Sequence, residues 1–470
     1  MNNYKPTIGI EVHLELKTNS KVFSPSKNNY NDPVNSNINE IDLAYPGVLP
    51  TVNEGVLKSA IKASLALNMD ITKTMHFDRK NYYYADLPKG YQITQNETPI
   101  GRDGFIMIDS LEGKKKIGIE RLHIEEDTAK SLHHKDRTLL NYNRCGVPLI
   151  EIVSRPDMHS KEEAMEYAKT LREILYYAGV SDCKIEEGSM RCDVNISVSC
   201  SDELGVRSEI KNIGSISNIG DAIDMEVKRQ VKLLEEGKTL FEDTRKFSSS
   251  GETIFMRRKE PNKDYRFFPE PDIPYLHISS DYILDVKNTL PMLPDERRVL
   301  YEGKEIPHLN INKLISNKDL SDYINMFLEE DIDFKIASNI LLGDISSYLN
   351  NKRISIFDTK LNKDKFVSLV NALKSEKISS KIMKDNLNNI LEGNISIEEV
   401  ISSSGLISNE DEIISLVKSV IDENMDSVIS YKNGKDNAFK FLMGMVMKKS
   451  SGKVNPKLAS DLLKNEINNI

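Results

Sequence analysis

The hydrophobic period of this chain changes once along its length, and that change limits what it can fold into. From Thr7 to about Ile278, apolar residues alternate with polar ones in short runs broken by turn residues, which is the two-residue period of half-buried strands. Beyond Pro291-Met292-Leu293-Pro294, where prolines stand beside Asp295-Glu296-Arg297-Arg298, they recur every three or four residues, as in helices. A strand-rich part is therefore followed by a helical part. A weaker break at Ile401-Ser402-Ser403-Ser404-Gly405 sets off a final helical module. Within the strand-rich part, helical spacing appears at Leu57–Leu67 and again after Ser160. There Ser160 with Glu163 forms a capping box, and the pattern runs to Ala178 before Gly179. A third helix is expected from Ala222 to about Glu236, stopping at Gly237.

The 470 residues suit two to four domains at roughly 100–200 residues each. The balance of 39% hydrophobic and 29% charged residues, with no polar repeat, excludes disordered and fibrous classes. No run approaches the roughly 18 apolar residues of a membrane span. The start, Met1-Asn2-Asn3-Tyr4-Lys5-Pro6, lacks an export pattern, so a cytoplasmic protein is expected. Four cysteines (Cys145, Cys183, Cys192, Cys200) without a C-x-x-C pair read as reduced thiols rather than a disulfide frame or zinc knuckle. A net charge of −9 confines any nucleic-acid contact to a local basic patch.

The polar faces of the alternating runs carry carboxylates and imidazoles with few balancing cations. Glu11, His13 and Glu15 share one face of Ile8–Leu16, and His123 and Glu125 share one face of Arg121–Asp127. Glu151 interrupts the apolar run Val147–Val153. Arg191, Asp193, Asn195 and Ser197 line up on the next run, and Glu209 pairs with Lys211 beyond it. A solvated sheet face would show the same alternation. Taken together, however, neighbouring carboxylates repel unless a cation neutralises them, and an oxygen-rich set with one or two histidines suits Mg²⁺ or Mn²⁺. A lone carboxylate in the apolar setting of Glu151 calls for a cationic partner.

Two further segments stay ambiguous on sequence. Asp78-Arg79-Lys80-Asn81-Tyr82-Tyr83-Tyr84 either holds phosphate with Arg79 and Lys80 while tyrosine rings stack on a base, or packs as a tyrosine-rich segment. The same holds for Met256-Arg257-Arg258-Lys259-Glu260 with Lys263-Asp264-Tyr265-Arg266. The lysines at 435, 440, 448, 449, 453, 457 and 464 suit either a phosphate grip or a solvated helix face. Met443, Met445 and Met447 read as core filler. Gly237-Lys238-Thr239 is no phosphate loop, because Lys232 stands where the first glycine is needed. There is no G-x-S-x-G elbow and no H-E-x-x-H helix.

In these segments the chain resembles the GatB/GatE family, the B subunits of bacterial aspartyl/glutamyl-tRNA(Asn/Gln) amidotransferases. The likeness lies in Ile8-Gly9-Ile10-Glu11-Val12-His13, Asp78–Tyr84, Leu122-His123-Ile124-Glu125-Glu126-Asp127, Gly146–Val153, Glu186–Asn195 and Tyr265-Arg266-Phe267-Phe268-Pro269-Glu270-Pro271-Asp272. These motifs stand in the family's order over essentially the whole chain. The resemblance implies an α+β protein: a kinase-like, mainly antiparallel β-sheet cradle with helices (residues 1–293), an all-α helical domain (294–400) and a small helical tail domain that touches the tRNA elbow (401–470).

It also implies a ligase that uses ATP and Mg²⁺ to phosphorylate the side-chain carboxylate of Glu or Asp misacylated on tRNA. Ammonia from a glutaminase/amidase partner, the family's A subunit, then gives Gln or Asn, and a small C subunit completes a heterotrimer. By position, Glu11, His13, Glu125 and Glu151 are the implied metal ligands, with Asp193 beside them in the catalytic set. Lys80, Tyr82, Arg191, Glu209 and Lys211 are implied contacts to nucleotide or the aminoacylated tRNA end. Many family members carry a four-cysteine zinc site near the N-terminus. Here the segment reads Phe23-Ser24-Pro25-Ser26 and Asn39-Glu40-Ile41-Asp42, so no structural zinc is expected. Two other readings compete, a non-catalytic tRNA scaffold and a metal-dependent hydrolase that acts without partners.

Overall fold

A computed structural model of the chain describes residues 4–248, 250–258, 265–403, 410–450, 454 and 456–469. It forms two compact units, Met1–Pro294 and Asp295–Ile470. The first contains strands β1 (Lys5–Glu15), β2 (Asp70–Ile71), β3 (Thr74–Met75), β4 (Asp78–Asn81), β5 (Tyr91–Thr94), β6 (Gly101–Ser110), β7 (Gly113–Glu126) and β8 (Lys130–His133). It continues with β9 (Thr138–Asn141), β10 (Pro148–Ser154), β11 (Met190–Ser199), β12 (Ser208–Ile213), β13 (Asp243–Phe247), β14 (Thr253–Arg258), β15 (Phe268–Pro269) and β16 (Leu276–His277). Nine of these make one sheet in the order β14-β13-β12-β11-β1-β10-β7-β6-β2. Every pairing in it is antiparallel except β12 with β13.

β1 lies near the middle because it can bury one whole face. Ile8, Ile10, Val12 and Leu14 are buried, and they join Ile150 and Ile152 of β10, Leu122 and Ile124 of β7, and Val194 and Ile196 of β11 in a single core. Helices α1 (Glu54–Ala66), α2 (Lys161–Ala178) and α3 (Ile216–Glu235) contribute the other side of that core. Burying one sheet face on helices leaves the alternate residues on the opposite face free for chemistry.

The helix ends follow local rules. Ser160 caps α2 by accepting from the Glu163 amide at 3.2 Å, while the Glu163 carboxylate accepts from the His159 amide at 2.7 Å, one residue earlier than a standard capping box. Gly179 ends the helix with φ 72°, a left-handed geometry suited to glycine. The third helix begins at Ile216, six residues before the expected Ala222. Ser215 caps it, and its internal Gly220 packs closely on α2, where a Cβ would lie 2.6 Å from Met165 Sδ. A glycine that weakens the helical pattern in sequence is here a close-packing residue.

The second unit is made of helices from Pro294–Gly303 to Pro456–Asn469. It holds two separate cores, one from Tyr301 to Val400 and one from Ile413 to Ile467. Met443 and Met445 pack against buried Leu442 and Val446 in the latter, as core filler should. A sheet-and-helix unit followed by a helical one bears out the α+β class. Ser404 and Gly405 of the anticipated break lie outside the described residues. Among the described residues no helix is long and apolar enough to cross a membrane.

Candidate functional site

Strand register builds the site. β1 lies between β10 and β11, so His13 stands opposite Glu151 on one side and Arg191 on the other. Glu151 in turn faces His123 on β7. One step along, Glu11 lies opposite Asp193, and Asn195 lies opposite Glu209 of β12. Because side chains alternate with period two, all of these project from the face that the core does not use.

The first group is His13, Glu125 and Glu151, whose candidate ligand atoms lie within 4.8 Å of one another. His13 Nε2 is 3.2 Å from Glu151 Oε2 and 3.6 Å from Glu125 Oε1. His123 Nε2 is 3.4 Å from Glu151 Oε2 and 3.8 Å from Glu125 Oε2. The cationic partner that Glu151 requires is thus a pair of imidazoles. Burial works against protonating His123, but the charges and hydrogen bonds of Glu151 and Glu125 outweigh it and push its pKa up to about 9. Burial likewise opposes the His13 cation, and the bond to Glu151 with the charge of Glu125 raises it on balance. Burial pushes the Glu151 carboxyl up, yet His123 and His13 hold it well below the usual carboxylate range. Burial also pushes Glu125 up, and it is lowered the same way on balance, chiefly by its bond to His123.

A raised histidine pKa stabilises the fold below the unfolded value of 6.5, and that contribution is lost as pH rises through about 9. The melting temperature of the chain in EDTA should therefore fall between pH 7 and 9. His123→Asn should flatten that part of the slope, and an unchanged slope would contradict the pairing.

The second group is Glu11, Asp193 and Glu209, again with ligand atoms within 4.8 Å. Burial first, and then repulsion by Glu151, raise the Glu11 pKa, while a hydrogen bond from Asn195 Nδ2 at 2.8 Å opposes the shift. Lys211 Nζ lies 2.6 Å from Asp193 Oδ2 and 2.9 Å from Glu209 Oε1. The buried Asn195 Oδ1 has no hydrogen-bond partner among the described residues. Of the expected set Glu11, His13, Glu125 and Glu151, the structure brings His13, Glu125 and Glu151 together and places Glu11 in the second, adjoining group. Carboxylate oxygens with a single imidazole, and an orphaned amide oxygen nearby, are donors that fit Mg²⁺ or Mn²⁺.

The surrounding residues differ in how firmly their side chains are held. Lys80 lines a cavity of about 100 Å³ together with His123, Glu151, Asn96 and Arg121. Its ammonium lies 5.2 Å from the centre of the Tyr265 ring. The Tyr82 hydroxyl donates to Gln92 Oε1 at 3.2 Å, and burial, with Glu125 and Glu126 nearby, keeps it protonated. Tyr83 and Tyr84 are 92% and 64% exposed, which leaves two ring faces open to stacking. Arg79, which the sequence leaves open between a phosphate holder and a packed position, is engaged. Its guanidinium makes two bonds to Glu270 at 2.6 and 2.7 Å, one to Asp272 at 3.1 Å, and lies 4.2 Å over the Tyr91 ring. Arg191 donates to Asp127 Oδ2 at 3.0 Å.

Of the basic cluster at 256–266, Arg257 and Arg258 are exposed, whereas Lys259, Glu260, Lys263 and Asp264 lie outside the described residues. In the tail, Lys449 pairs with Glu423 and Lys464 lies 5.5 Å from the Phe439 ring. Lys453 and the side chain of Lys457 lie outside the described residues.

His123 was absent from the expected site set. Its place two residues before Glu125, on the same strand face, was the signal that could have included it.

The N-terminal loop is anchored without a cysteine cluster. Fully buried Lys21 pairs with Asp42 Oδ2 at 3.1 Å. Asp42 also accepts from Ser24 Oγ at 2.7 Å and from the Asn39 amide at 3.1 Å.

The profile of the GatB/GatE catalytic domain matches residues 6–284, and that of the GatB domain matches residues 322–467. The chain is 44% identical to the B subunit of the aspartyl/glutamyl-tRNA(Asn/Gln) amidotransferase of Ligilactobacillus salivarius, over 98% of both chains. It is 45% identical to the protein of that name from Lactiplantibacillus plantarum, again over 98% of both. With the Staphylococcus haemolyticus protein the identity is 44% over 99% of both.

Proposed function

The chain belongs to the GatB/GatE family, and from that premise we propose that it is the B subunit of a cytoplasmic, tRNA-dependent amidotransferase, a ligase that corrects Glu-tRNA(Gln) or Asp-tRNA(Asn). The substrate's own side-chain carboxylate attacks the γ-phosphorus of ATP, and ADP leaves with the bonding electrons. Ammonia supplied by the glutaminase partner then attacks the activated carbonyl carbon and phosphate departs, leaving Gln or Asn on the tRNA. A small third chain holds the glutaminase and this protein together. The helical domain (294–400) and the tail (401–470) grip the tRNA, the tail at its elbow.

The observation that carries this reading is the convergence of His13, Glu125 and Glu151 on one sheet face, beside Glu11, Asp193 and Glu209. Phosphoryl transfer needs charge neutralisation and positioning more than a protein nucleophile, and a divalent cation held on that face would supply both. His13, Glu125 and Glu151 would hold one Mg²⁺, and Glu11 with Asp193 and Glu209 adjoin it. Bound there, Mg²⁺ supplies neutralisation of triphosphate charge. Lys80, next to His123 and Glu151, offers a cation to phosphate, and Tyr82 offers a neutral hydroxyl. Lys211 balances the second group, and Arg191, held by Asp127, faces the row of His13.

The test is to incubate the chain and its two partners with ATP, Mg²⁺, glutamine and each misacylated tRNA, then identify the esterified amino acid. Conversion with tRNA-dependent ATP cleavage is the expected outcome. A tRNA-binding scaffold would cleave no ATP, and a hydrolase would turn over without partners.

A further inference from the structure

β13 serves two different purposes on its two faces. Asp243 and Arg245 turn toward α3, where Glu226 is fully buried. Arg245 Nε lies 3.5 Å from Glu226 Oε2, and Arg245 NH1 donates to Asp243 Oδ2 at 2.9 Å. Arg229 donates to Glu226 at 2.6 and 2.9 Å, and Thr253 of β14 donates to it at 3.1 Å. A carboxylate buried this deeply is tolerable only while those partners stay, so the network fixes where β13 sits. Between the two clamped residues, Thr244 turns the other way. The parallel pairing sets Thr244 opposite Glu209, and its hydroxyl donates to Glu209 Oε2 at 3.0 Å. Both residues are buried, Thr244 at 1% exposure and Glu209 at 6%. Lys211 meets the other carboxylate oxygen of Glu209 at 2.9 Å.

We infer that Thr244 is a positioning residue for this reaction: it holds the Glu209 carboxylate in the orientation that completes the Glu11–Asp193–Glu209 group. The inference rests on the cation-binding reading of that face. A carboxylate on a strand has free rotation about its terminal torsion. A hydrogen bond from one side and an ammonium from the other remove that freedom and leave Glu209 preorganised toward Glu11 and Asp193. Outer partners of this kind typically change metal affinity by about 10–100-fold. The sheet's one parallel pairing is what brings a hydroxyl here, anchored through the buried ions beneath it.

The experiment titrates Mn²⁺ into the purified full chain and reads the free ion by electron paramagnetic resonance. It compares wild type with Thr244→Val, Thr244→Ser and Glu209→Gln, with the melting temperature of each. Thr244→Val should weaken the sites lost in Glu209→Gln by about tenfold or more. Thr244→Ser, which restores the hydroxyl, should recover them. In the assembled enzyme, Thr244→Val should raise the Mg²⁺ needed for half-maximal rate, with kcat recovering at saturating Mg²⁺. Wild-type affinity in Thr244→Val, or a Thr244→Ser variant as weak as Thr244→Val, would overturn the assignment while leaving the cation reading intact. Wild-type binding by Glu209→Gln would overturn the assignment and leave the cation reading to His13, Glu125 and Glu151, whereas no Mn²⁺ binding by wild type would overturn both.

Discussion

Replacing Glu151 with glutamine should cut ATP-dependent amidation by about three orders of magnitude while leaving tRNA binding in place. The residue is the hub of the first group: both His13 and His123 address its Oε2, at 3.2 and 3.4 Å. A metal ion stabilises developing charge by several kcal/mol, and each 1.36 kcal/mol is a factor of ten, so losing a ligand should cost on the order of 10³ in rate. Glutamine keeps the volume and removes the charge, which also strips the two imidazoles of their shared counter-ion. The phenotype therefore has a second signature. His123 should titrate below the value of about 9 that it has beside Glu151. Steady-state amidation and a histidine NMR titration check the two parts. A Glu151→Gln enzyme within tenfold of wild type would remove Glu151 from the machinery.

The second large effect is structural and lies in the N-terminal loop. Lys21 is completely buried, its ammonium 3.1 Å from Asp42 Oδ2 and 3.3 Å from the Tyr142 carbonyl. Removing one member of such a pair strands the other in a poor dielectric, at a cost of about 3–5 kcal/mol. Asp42→Asn leaves the ammonium with the Tyr142 carbonyl and should sit at the upper end. Lys21→Met leaves a carboxylate that still accepts from Ser24 and Asn39, and should sit at the lower end. Burial already pulls the Lys21 pKa down, so the Asp42→Asn penalty should shrink as pH rises and the stranded ammonium gives up its proton. Hydrogen exchange across residues 18–53, with thermal melting, measures both. Single variants that protect this loop as wild type does would show that the pair contributes little.

Much of the candidate face is legible in the sequence alone, for a simple reason. Alternation in β1, β7, β10 and β11 places Glu11, His13, Glu125, Glu151, Arg191 and Asp193 opposite the buried residues whatever the strand order turns out to be. What periodicity cannot supply is the register between strands distant in sequence. That register decides that Glu11 groups with Asp193 and Glu209 rather than with His13. Arg79 shows the same limit. Its neighbours in sequence leave a phosphate loop and a packed segment both open, and the partner that engages it, Glu270, lies 191 residues away. The start of α3 was obscured by Gly220, which propensity reads as a helix weakener and which packs closely against Met165. Thr244 carried no local signal, because its role depends on one parallel pairing and on Glu226 beneath the sheet.

The proposed chemistry requires carboxylates and imidazoles from separate strands to hold a divalent cation where a carboxylate is activated. Anomalous scattering from Mn²⁺ in crystals of the assembled enzyme with ADP tests it most directly. A peak bounded by His13, Glu125 and Glu151 is expected. A map with Mn²⁺ bound elsewhere and none among those three side chains would contradict it.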